Sequence, residues 1–453
     1  MTQTKERLVD WYLMSFGEFE KTLNGEAQTR LHALRRKAIS KFVDLGFPTT
    51  KDEEWRFTNV SPITNLRFLP VTEPERSEIR LEELSVVGLP DFDCIRLVYV
   101  DGHYASELSL TDGLPAGVTV GSFRSGLKEG NNSLFQSLAH HAGYEREPFT
   151  ALNTAFLQDG ALVHVPRGIV VDRPIHILYV SGRRSRPFLT VPRNLFVIQD
   201  GARVSIIESY VGIEENIYFT NAVTEVVVGS GSVVEHDKIQ SESVKGFHIG
   251  TIHVSQQERS TYTANSVSLG GGLVRNNVIA LLDGEHCECT LNGLSLATGT
   301  QLIDNHTTIE HAKPKCVSHE LYKSILDGAS KGVFSGKIFV RKDAQKTDAK
   351  QTNKTLLLSD EATIDTKPQL EIFADDVKCT HGATVGQLDE EQIFYLRSRG
   401  MGLEQARDVL TYAFAREVTQ RVHVEPLRDQ LEAMIHAKLH RGRIIQDDRE
   451  TDE

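Results

Sequence analysis

The sequence lacks any run of apolar residues long enough for a membrane-spanning helix, which requires roughly 18 to 20 residues. Its first residues, MTQTKERLVDWYLMSF, include acidic side chains and show no small-residue cleavage site after an apolar core. We therefore expect a cytoplasmic protein without membrane contact. The sequence also lacks a phosphate-binding loop and a glycine-rich dinucleotide motif between a strand and a helix. If the function of this protein requires nucleotide hydrolysis, another chain must carry it out.

The sequence also contains no long basic run. Its 50 Lys and Arg residues and 62 Asp and Glu residues give a net charge of −12. Nucleic acid and anionic membranes are unfavourable partners for such a surface. Cysteine is scarce, and the five thiols are an odd number scattered along the chain, at Cys94, Cys287, Cys289, Cys316 and Cys379. This distribution argues against a disulfide framework and predicts free thiols in a reducing compartment.

The N-terminal region, residues 1–90, has the pattern of helices. Apolar residues recur at spacings of three and four over residues 31–45, and Gly46 and Pro48 end the segment. We interpret the basic run at residues 35–37 as the solvated face of this helix, with a docking patch as the alternative.

The C-terminal region, residues 387–445, is predicted to be helical again. Asp389 can cap a first helix, and an apolar stripe from Leu403 to Val418 predicts a second. A last helix is expected from about Leu427 to Leu439. Residues 446–453 are acidic enough to predict a disordered tail.

The region between them, residues 91–386, consists of short β-branched runs punctuated by Gly, Asp or Asn, such as RPIHILYVSG and AVTEVVVGSGSVVEHDKI. This pattern predicts many strands and almost no intervening helix, which excludes a doubly wound α/β sheet. The turns continue for longer than an ordinary sandwich requires, as in a stacked solenoid. No clean repeated consensus is present, so the pattern alone leaves a parallel β-helix and two sandwiches open.

Cys379 and His381 lie in the motif Lys-Cys-Thr-His-Gly-Ala-Thr-Val-Gly near the end of the β-rich region. Successive side chains of a strand alternate faces, so the thiol and the imidazole would share one face, roughly 7 Å apart. These donors favour iron or zinc over magnesium or calcium. Because zinc normally takes four ligands and an iron–sulfur cluster usually four thiolates, the remaining ligands must come from elsewhere in the fold or from another chain. A buried thiol beside a hydrogen-bonded imidazole is the structural alternative.

Two other groups of thiols and imidazoles lie in the β-rich region. Cys287 and Cys289 would place two thiols on one face of a strand, where they could bind metal or carry sulfur. In a solenoid, however, such positions line the interior, and cysteine there behaves as a small hydrophobe. Cys316 with His311 and His319 suggests a zinc site, but strand histidines hydrogen-bonded to neighbouring turns are the simpler interpretation.

A polar segment holds the residue types of general acid/base chemistry. A single sequence does not show whether these side chains converge, and polar ladders along a solenoid explain them equally well. The residues are Asp304, Asn305, His306, Glu310 and His311.

The chain from Asp304 through the Cys379 motif to Met401 resembles, over its whole length, the SufB/SufD family of iron–sulfur cluster assembly proteins. The stretch GFPTTKDEEWRFTNV is similar to the N-terminal segment of the SufD branch. The resemblance is greater to SufD than to SufB, because SufB is expected to carry Glu at the position of Gly382 and no Cys at that of Cys379. Membership implies a right-handed parallel β-helix between helical ends.

The resemblance also implies partners and a cargo. A SufB-type subunit is expected to pair through the β-helix, and a SufC-type ABC ATPase to bind the C-terminal helices, where we expect contacts at Tyr395, Arg397 and Arg399. A nascent Fe-S cluster would be shared with SufB, with His381 as a donor and Cys379 as a neighbouring ligand or sulfur-handling thiol. The family complex works with reduced FAD, although no residue here identifies a flavin contact. The subunit itself is expected to be non-catalytic, and a homodimer is open for the isolated chain.

Two alternatives follow from the same fold. A SufB-type sulfur-accepting scaffold is disfavoured by Cys379, by Gly382 and by the absence of any Cys-x-x-Cys in the N-terminal half. A carbohydrate-active β-helix enzyme would usually be exported and would grip sugars with exposed aromatics. Here both tryptophans, Trp11 and Trp55, precede the β-rich region.

Overall fold

The computed structural model describes residues 2–23, 28–73, 79, 83, 92–128 and 138–450, with side chains from residue 8 to residue 439 of these ranges. Most of this part of the chain is a parallel β-solenoid with helices at both ends. The predicted β-helix is therefore confirmed. The two-sandwich alternative is wrong, because neighbouring strands of the solenoid run parallel, whereas sandwiches are built from antiparallel sheets.

The helices lie mainly before and after the solenoid. Two short ones, α4 and α5, fall within residues 91–386, where the sequence predicted almost no helix. The α-helices are α1 (Thr2–Thr22), α2 (Arg30–Leu45), α3 (Ser61–Thr64), α4 (Phe123–Lys128), α5 (Pro148–Ala155), α6 (Glu390–Ser398), α7 (Leu403–Thr419) and α8 (Glu425–Glu450). Single 3₁₀ turns occur at Glu53–Trp55 and Ser106–Leu108.

The strands become regular in length from β9 onward, where most contain nine to eleven residues. They are β1 (Leu69–Pro70), β2 (Ile95–Val100), β3 (His103–Tyr104), β4 (Thr119–Ser122), β5 (Ala161–Val165), β6 (Ile175–Ser181), β7 (Phe188–Thr190), β8 (Arg193–Ile198), β9 (Arg203–Gly212), β10 (Tyr218–Val228), β11 (Val233–Ser241), β12 (Phe247–Gln256), β13 (Thr261–Ser268), β14 (Leu273–Leu282), β15 (Glu288–Ala297), β16 (Leu302–His311), β17 (Val317–Leu326), β18 (Lys331–Val340), β19 (Asp348–Leu357), β20 (Thr363–Ile372) and β21 (Lys378–Gly386).

Each turn of the solenoid gives one strand to each of two sheets. The first sheet has the order β20-β18-β16-β14-β12-β10-β8-β5-β4, with β7 and β1 joined at β10, and the second has the order β21-β19-β17-β15-β13-β11-β9-β6-β2-β3. At the N-terminal end, β3 pairs antiparallel with β2 and β4 pairs antiparallel with β5. At the C-terminal end, β20 and β21 each pair on one side only.

The turns of the solenoid differ in length, which explains why the sequence shows no clean repeat. Thr251 in β12 is in register with Asn277 in β14, whereas Ser335 in β18 is in register with Lys367 in β20, so the later turn contains more residues. What recurs is the alternation of side chains, so that every second residue of a strand faces the interior. Stacking these positions forms one continuous core that contains Val226, among many others.

The N-terminal helices pack against the first sheet through an apolar cluster that includes Phe42, Phe156 and Phe219. Contrary to the sequence prediction, Arg35 does not lie on a solvated face. Its side chain is buried, Nε donates to the carbonyl oxygen of Leu157 at 2.7 Å, and the guanidinium lies over the ring of Phe19. The run at residues 35–37 is therefore split between core and solvent.

The C-terminal helices α7 and α8 pack on the outer face of the second sheet, where Val418, Leu431 and Ile435 meet strand residues such as Val267 and Leu294. Helix α8 extends to Glu450, beyond the end predicted near Leu439 and into the segment predicted as a tail. The predicted apolar stripe of α7 is also partly wrong. Its members Leu403 and Val409 are exposed, since the helix buries the face that contains Ala406, Ala415 and Val418.

Candidate functional site

The last turn of the solenoid leaves both sheets with an unpaired edge. Strand β21 hydrogen-bonds with β19 and strand β20 with β18, and neither has a neighbour on its other side among the described residues. Every residue of β21 is exposed except Cys379, which is half-buried. The end of the solenoid is thus an open cross-section in which interior-facing side chains reach solvent.

Cys379 and His381 lie on this cross-section and share its interior-facing side. Cys379 is in register with Ala349 and His381 with Gln351, and both residues of β19 are buried inside the solenoid. The shared face expected from strand alternation is therefore present. The two residues differ in environment, because Cys379 packs against the apolar cluster around Ala349, whereas His381 is exposed.

The environment of each donor has a chemical consequence. Burial raises the pKa of the Cys379 thiol, so in the isolated chain this group is held as a neutral thiol. The His381 imidazole forms no hydrogen bond with another described residue. Beside it, Gly382 adjoins open space, since an added Cβ would meet no atom within 4 Å. One thiol and one imidazole thus lie at an uncovered end of the solenoid.

Two polar side chains lie directly behind this face, in the two preceding turns of the solenoid. Gln351 is in register with Glu320 as well as with His381, and its Nε2 donates to Glu320 Oε2 at 2.5 Å. Burial raises the pKa of Glu320 to about 7, against the opposing effect of its hydrogen bonds. Gln351 Oε1 is buried without a hydrogen-bond partner in the described structure. Sequence reasoning missed both residues, because their position one and two turns before His381 is the only signal available.

The buried thiols lie at the corners and in the interior of the solenoid. Cys287 Sγ donates to the carbonyl oxygen of Gln257 at 3.1 Å, and Cys316 Sγ to that of Gly284 at 3.1 Å. The same corner of the preceding turn holds Ser260, whose hydroxyl donates to Gln257 O at 2.6 Å. Cysteine thus stands in a ladder of short side-chain donors that satisfy turn carbonyls. Cys289 is buried in the apolar interior, as the structural interpretation of the Cys-x-Cys predicted.

The suggested zinc group around Cys316 does not form. His311 faces the interior, with Nε2 hydrogen-bonded to Ser318 Oγ at 2.9 Å, whereas His319 lies on the opposite face of its strand from the buried Ser318. Within the described ranges, no group of three or more His, Cys, Asp or Glu residues is arranged to hold a metal ion. A metal at Cys379 and His381 would therefore need ligands from outside these residues.

Part of the polar segment beginning at Asp304 does converge, on the outer side of the first sheet. Asp304 accepts from Arg275 at 2.9 Å and from Thr58 at 2.5 Å, and its other oxygen lies 3.1 Å from His306. Burial would raise the pKa of Asp304, but His306 and Arg275 outweigh burial and lower it to about 2. This cluster ties the N-terminal segment to the solenoid. Glu310, in contrast, pairs with a surface arginine, and Asn305 faces the interior.

The middle of the solenoid contains a buried ionic network that sequence reasoning missed. His248 contacts Glu242 through Nδ1 at 2.7 Å, and Lys238 donates to His248 Nε2 at 3.0 Å. His236 lies two residues before Lys238 on β11, and its Nε2 contacts Glu208 Oε1 of the preceding turn at 2.9 Å. Burial would raise the pKa values of Glu208 and Glu242, but the histidines outweigh it and both pKa values are lowered. These groups satisfy one another within the core.

The residues predicted to contact an ATPase are on the surface of α6. Asp389 caps this helix by accepting from the backbone N–H of Glu391 at 2.9 Å, as predicted. Tyr395 is 57% exposed, with the Arg399 guanidinium over its ring at 5.2 Å. Arg397 is exposed as well. The neighbouring Phe394, which the sequence analysis did not single out, is 74% exposed and adds a large aromatic surface.

Comparison with known proteins accounts for nearly the whole chain. Residues 180–414 match the family model for the SUF system FeS cluster assembly SufBD core domain, and residues 6–177 match that for the SufBD protein N-terminal region. The chain belongs to the SufBD family. The SufBD relatives include an iron–sulfur cluster assembly SufBD family protein of Synechocystis, 34% identical over 92% of this chain and 93% of that protein.

Named SufD and SufB proteins of other bacteria are among the relatives, and SufD of Bacillus subtilis is 25% identical over 96% of this chain. SufD of Escherichia coli is 33% identical over 89% of this chain and 92% of that protein, whereas SufB of Bacillus subtilis is 25% identical over 86% of this chain and 85% of that protein. The chain is therefore a SufD-like iron–sulfur cluster assembly protein of the SufBD family. Among its described residues, no helix has the length and apolar character needed to cross a membrane.

Proposed function

We propose that this chain is the SufD-type subunit of an iron–sulfur cluster scaffold and that its open solenoid end binds a SufB-type subunit. The observation that carries the proposal is the placement of Cys379 and His381 together on the interior-facing side of the last, unpaired turn. An uncovered end with one thiol and one imidazole is an incomplete soft-metal site. A second solenoid docked there would cover the edges and add the missing ligands.

In this proposal the nascent cluster is cargo shared by two subunits, and His381 is the donor from this chain. The exposed imidazole is directly accessible to iron and to a partner. Cys379 takes the supporting role, because its thiol is half-buried and its pKa is raised, so that partner docking or iron must favour the thiolate. Dividing the ligands between chains allows a change at the interface to release the cluster.

The test uses the complete complex, co-expressed with SufB- and SufC-type partners and reconstituted anaerobically with iron and sulfide. We expect His381→Ala to remove nearly all cluster absorbance and iron per mole of intact complex, because loss of a direct ligand exceeds the roughly 10- to 100-fold loss in affinity typical of outer-shell changes. Cys379→Ser is expected to have a milder effect. Normal iron loading by the His381→Ala complex would contradict the proposed site.

We also propose that α6 and the start of α7 form the docking element for the ATPase. Phe394, Tyr395, Leu403 and Val409 leave an unusual amount of apolar surface exposed on these two helices. Arg397 and Arg399 add positive charge, as is common where an exposed helix enters a groove on a partner. The rest of the C-terminal region packs on the second sheet, so movement of α6 would be transmitted to the solenoid.

Point variants test this docking element better than truncation, because removing α7 and α8 would uncover apolar residues of the second sheet. We expect the combined variant Tyr395→Ala, Arg397→Glu and Arg399→Glu to lose ATPase co-purification while still binding the SufB-type subunit. Arg259→Glu, an exposed arginine in a solenoid turn, is the control. Unchanged capture of the ATPase by the triple variant would place its binding surface elsewhere.

The remaining features follow from a scaffold role in the cytoplasm, where free thiols persist. The subunit is non-catalytic in this proposal, and energy comes from the partner ATPase. Reduced FAD acts at the level of the complex, and we assign no flavin contact to this chain because its sequence contains no dinucleotide-binding motif.

A further inference from the structure

Three residues of the second sheet stack in register from the interior to the open end: Glu320 in β17, Gln351 in β19 and His381 in β21. The first two are buried, and the third is exposed on the uncovered turn. Adjacent parallel strands lie about 4.8 Å apart, so side chains in these positions are within reach of one another. Gln351 is thus the interior neighbour of the proposed metal donor.

The side-chain amide of Gln351 forms a hydrogen bond through its nitrogen and none through its oxygen. Its Nε2 donates to Glu320 Oε2 at 2.5 Å, so the nitrogen is directed toward Glu320. Its Oε1 is buried and accepts no hydrogen bond from any described residue. A buried acceptor without a donor is costly, by an amount comparable to a lost hydrogen bond, and so indicates a donor that arrives from outside the described contacts.

The interior is shaped to admit this amide. Gly336, on the facing strand β18, has no side chain, and an added Cβ would lie 2.4 Å from Gln351 Nε2. Any residue other than glycine would push the amide out of its position between Glu320 and the last turn. Glycine at this point of the first sheet therefore serves the placement of Gln351.

We propose that Gln351 is a positioning residue for His381, accepting an imidazole N–H at its free Oε1 when a partner closes the end of the solenoid. This inference rests on the proposed function of His381 as a cluster ligand. A metal-binding histidine generally donates its second ring N–H to such an acceptor, which selects the tautomer and the ring orientation. Glu320 holds the amide so that its oxygen faces the imidazole. The other ring nitrogen is then free to bind iron.

The experiment compares variants in the intact complex after anaerobic reconstitution. Gln351→Met keeps a similar length but removes the acceptor, and we expect iron affinity to fall roughly 10- to 100-fold while subunit assembly is retained. With ¹⁵N-histidine labelling, pulsed EPR of the reduced cluster should show a weakened or altered imidazole coupling. Thr355→Val is the control for a neighbouring buried position on the same face of β19, and it should change neither measurement.

A charge-swapped pair provides the rescue. Glu320→Gln combined with Gln351→Glu again gives one amide donor and a free carboxylate oxygen facing His381, so we expect most of the iron affinity and the imidazole coupling to return. A purely structural role predicts instead that Gln351→Met lowers thermal stability but leaves iron per folded complex and the coupling unchanged. That result would overturn the inference.

The two proposals fail in different ways. If His381→Ala abolishes iron loading and Gln351→Met leaves both measurements unchanged, the ligand stands and the positioning role is wrong. If His381→Ala loads iron normally, the proposed site itself is wrong, whatever Gln351 does.

Discussion

The middle and the end of the solenoid interior handle buried polar groups in opposite ways. In the middle, Glu208 and Glu242 are paired with histidines, and their pKa values are lowered despite burial. At the end, Glu320 has no cation beside it among the described residues, and burial raises its pKa to about 7. Buried glutamates a few turns apart in the same solenoid thus have pKa values shifted in opposite directions.

The difference supports the proposed place of the partner. When buried polar groups form all their hydrogen bonds with one another, disturbing them is costly, but they need no further partner. Buried polar groups that lack a hydrogen-bond partner beside an uncovered edge need a donor or a ligand from outside. The free oxygen of Gln351 lies behind Cys379 and His381, at the C-terminal end of the solenoid, where β20 and β21 each pair on one side only. We therefore expect cluster binding to depend on the open end of the solenoid and the stability of the fold to depend on the ionic network in its middle.

The strongest test of this division is a change in the middle network. Glu242 accepts from Thr220 at 2.6 Å and from Gln240 at 3.1 Å in addition to its contact with His248. Glu242→Leu should lower the free energy of unfolding by about 3 to 5 kcal/mol, because it leaves several buried donors without an acceptor. Denaturant unfolding of the isolated chain measures this loss.

The surface change Glu258→Leu is the control and should stay within about 0.5 kcal/mol of the wild type. Iron per mole of folded Glu242→Leu complex should remain normal. If the Glu242→Leu complex is fully folded but binds less iron, the middle network also serves the cluster site. That result would contradict the division between the middle and the end of the solenoid.

A pH series sharpens the contrast at the other end. The pKa of Glu320 is raised from its ordinary value of 4.5 to about 7, so the folded chain binds more protons than the unfolded chain in this range. Its stabilising contribution is complete below pH 4.5 and is lost as the pH rises through 7. We expect wild type to lose stability relative to Glu320→Gln over this window, as measured by urea unfolding at matched pH values. A constant difference between the two chains would show that Glu320 titrates normally.

The smallest effects are expected at the buried thiols. Cys287→Ala should cost about 1 to 2 kcal/mol, whereas Cys287→Ser should cost less, because serine already fills the equivalent corner at Ser260. Cys289→Ala should resemble the first change, since this thiol packs in the apolar interior. Thermal unfolding and iron content are the two measurements. Reduced iron loading at preserved stability would assign these cysteines to the cluster pathway instead.

The sequence predicted those parts of the molecule that depend on local periodicity. Alternation in β21 placed Cys379 and His381 on one face, and the cap at Asp389 marked the start of α6. Turn residues between β-branched runs were enough to separate strands from helices in most of the chain. The choice between solenoid and sandwiches was not predictable from local pattern, because successive turns of unequal length conceal the repeat.

The missed residues depend on contacts between turns. Gln351 becomes the neighbour of His381, and Glu208 of His236, only after the exact length of each turn is known. Arg35 was misassigned for a related reason, since a long side chain in a basic run looks solvated until the carbonyl of Leu157 is brought to it. Helical period alone does not distinguish a buried arginine from a surface one.

The two ends of the solenoid also limit how many copies can join. At the N-terminal end, the antiparallel strands β3 and β4 lie where the next parallel turn would add. Among the described strands, the C-terminal end offers long edges for strand addition, in the ten residues of β20 and the nine of β21, whereas β3 and β4 have two and four residues. When two such ends meet, each covers the long strand edges of the other, so we expect a pair and not a fibre. The difference between the two ends of the solenoid thus favours a closed pair over a polymer, and this effect does not depend on any particular side chain.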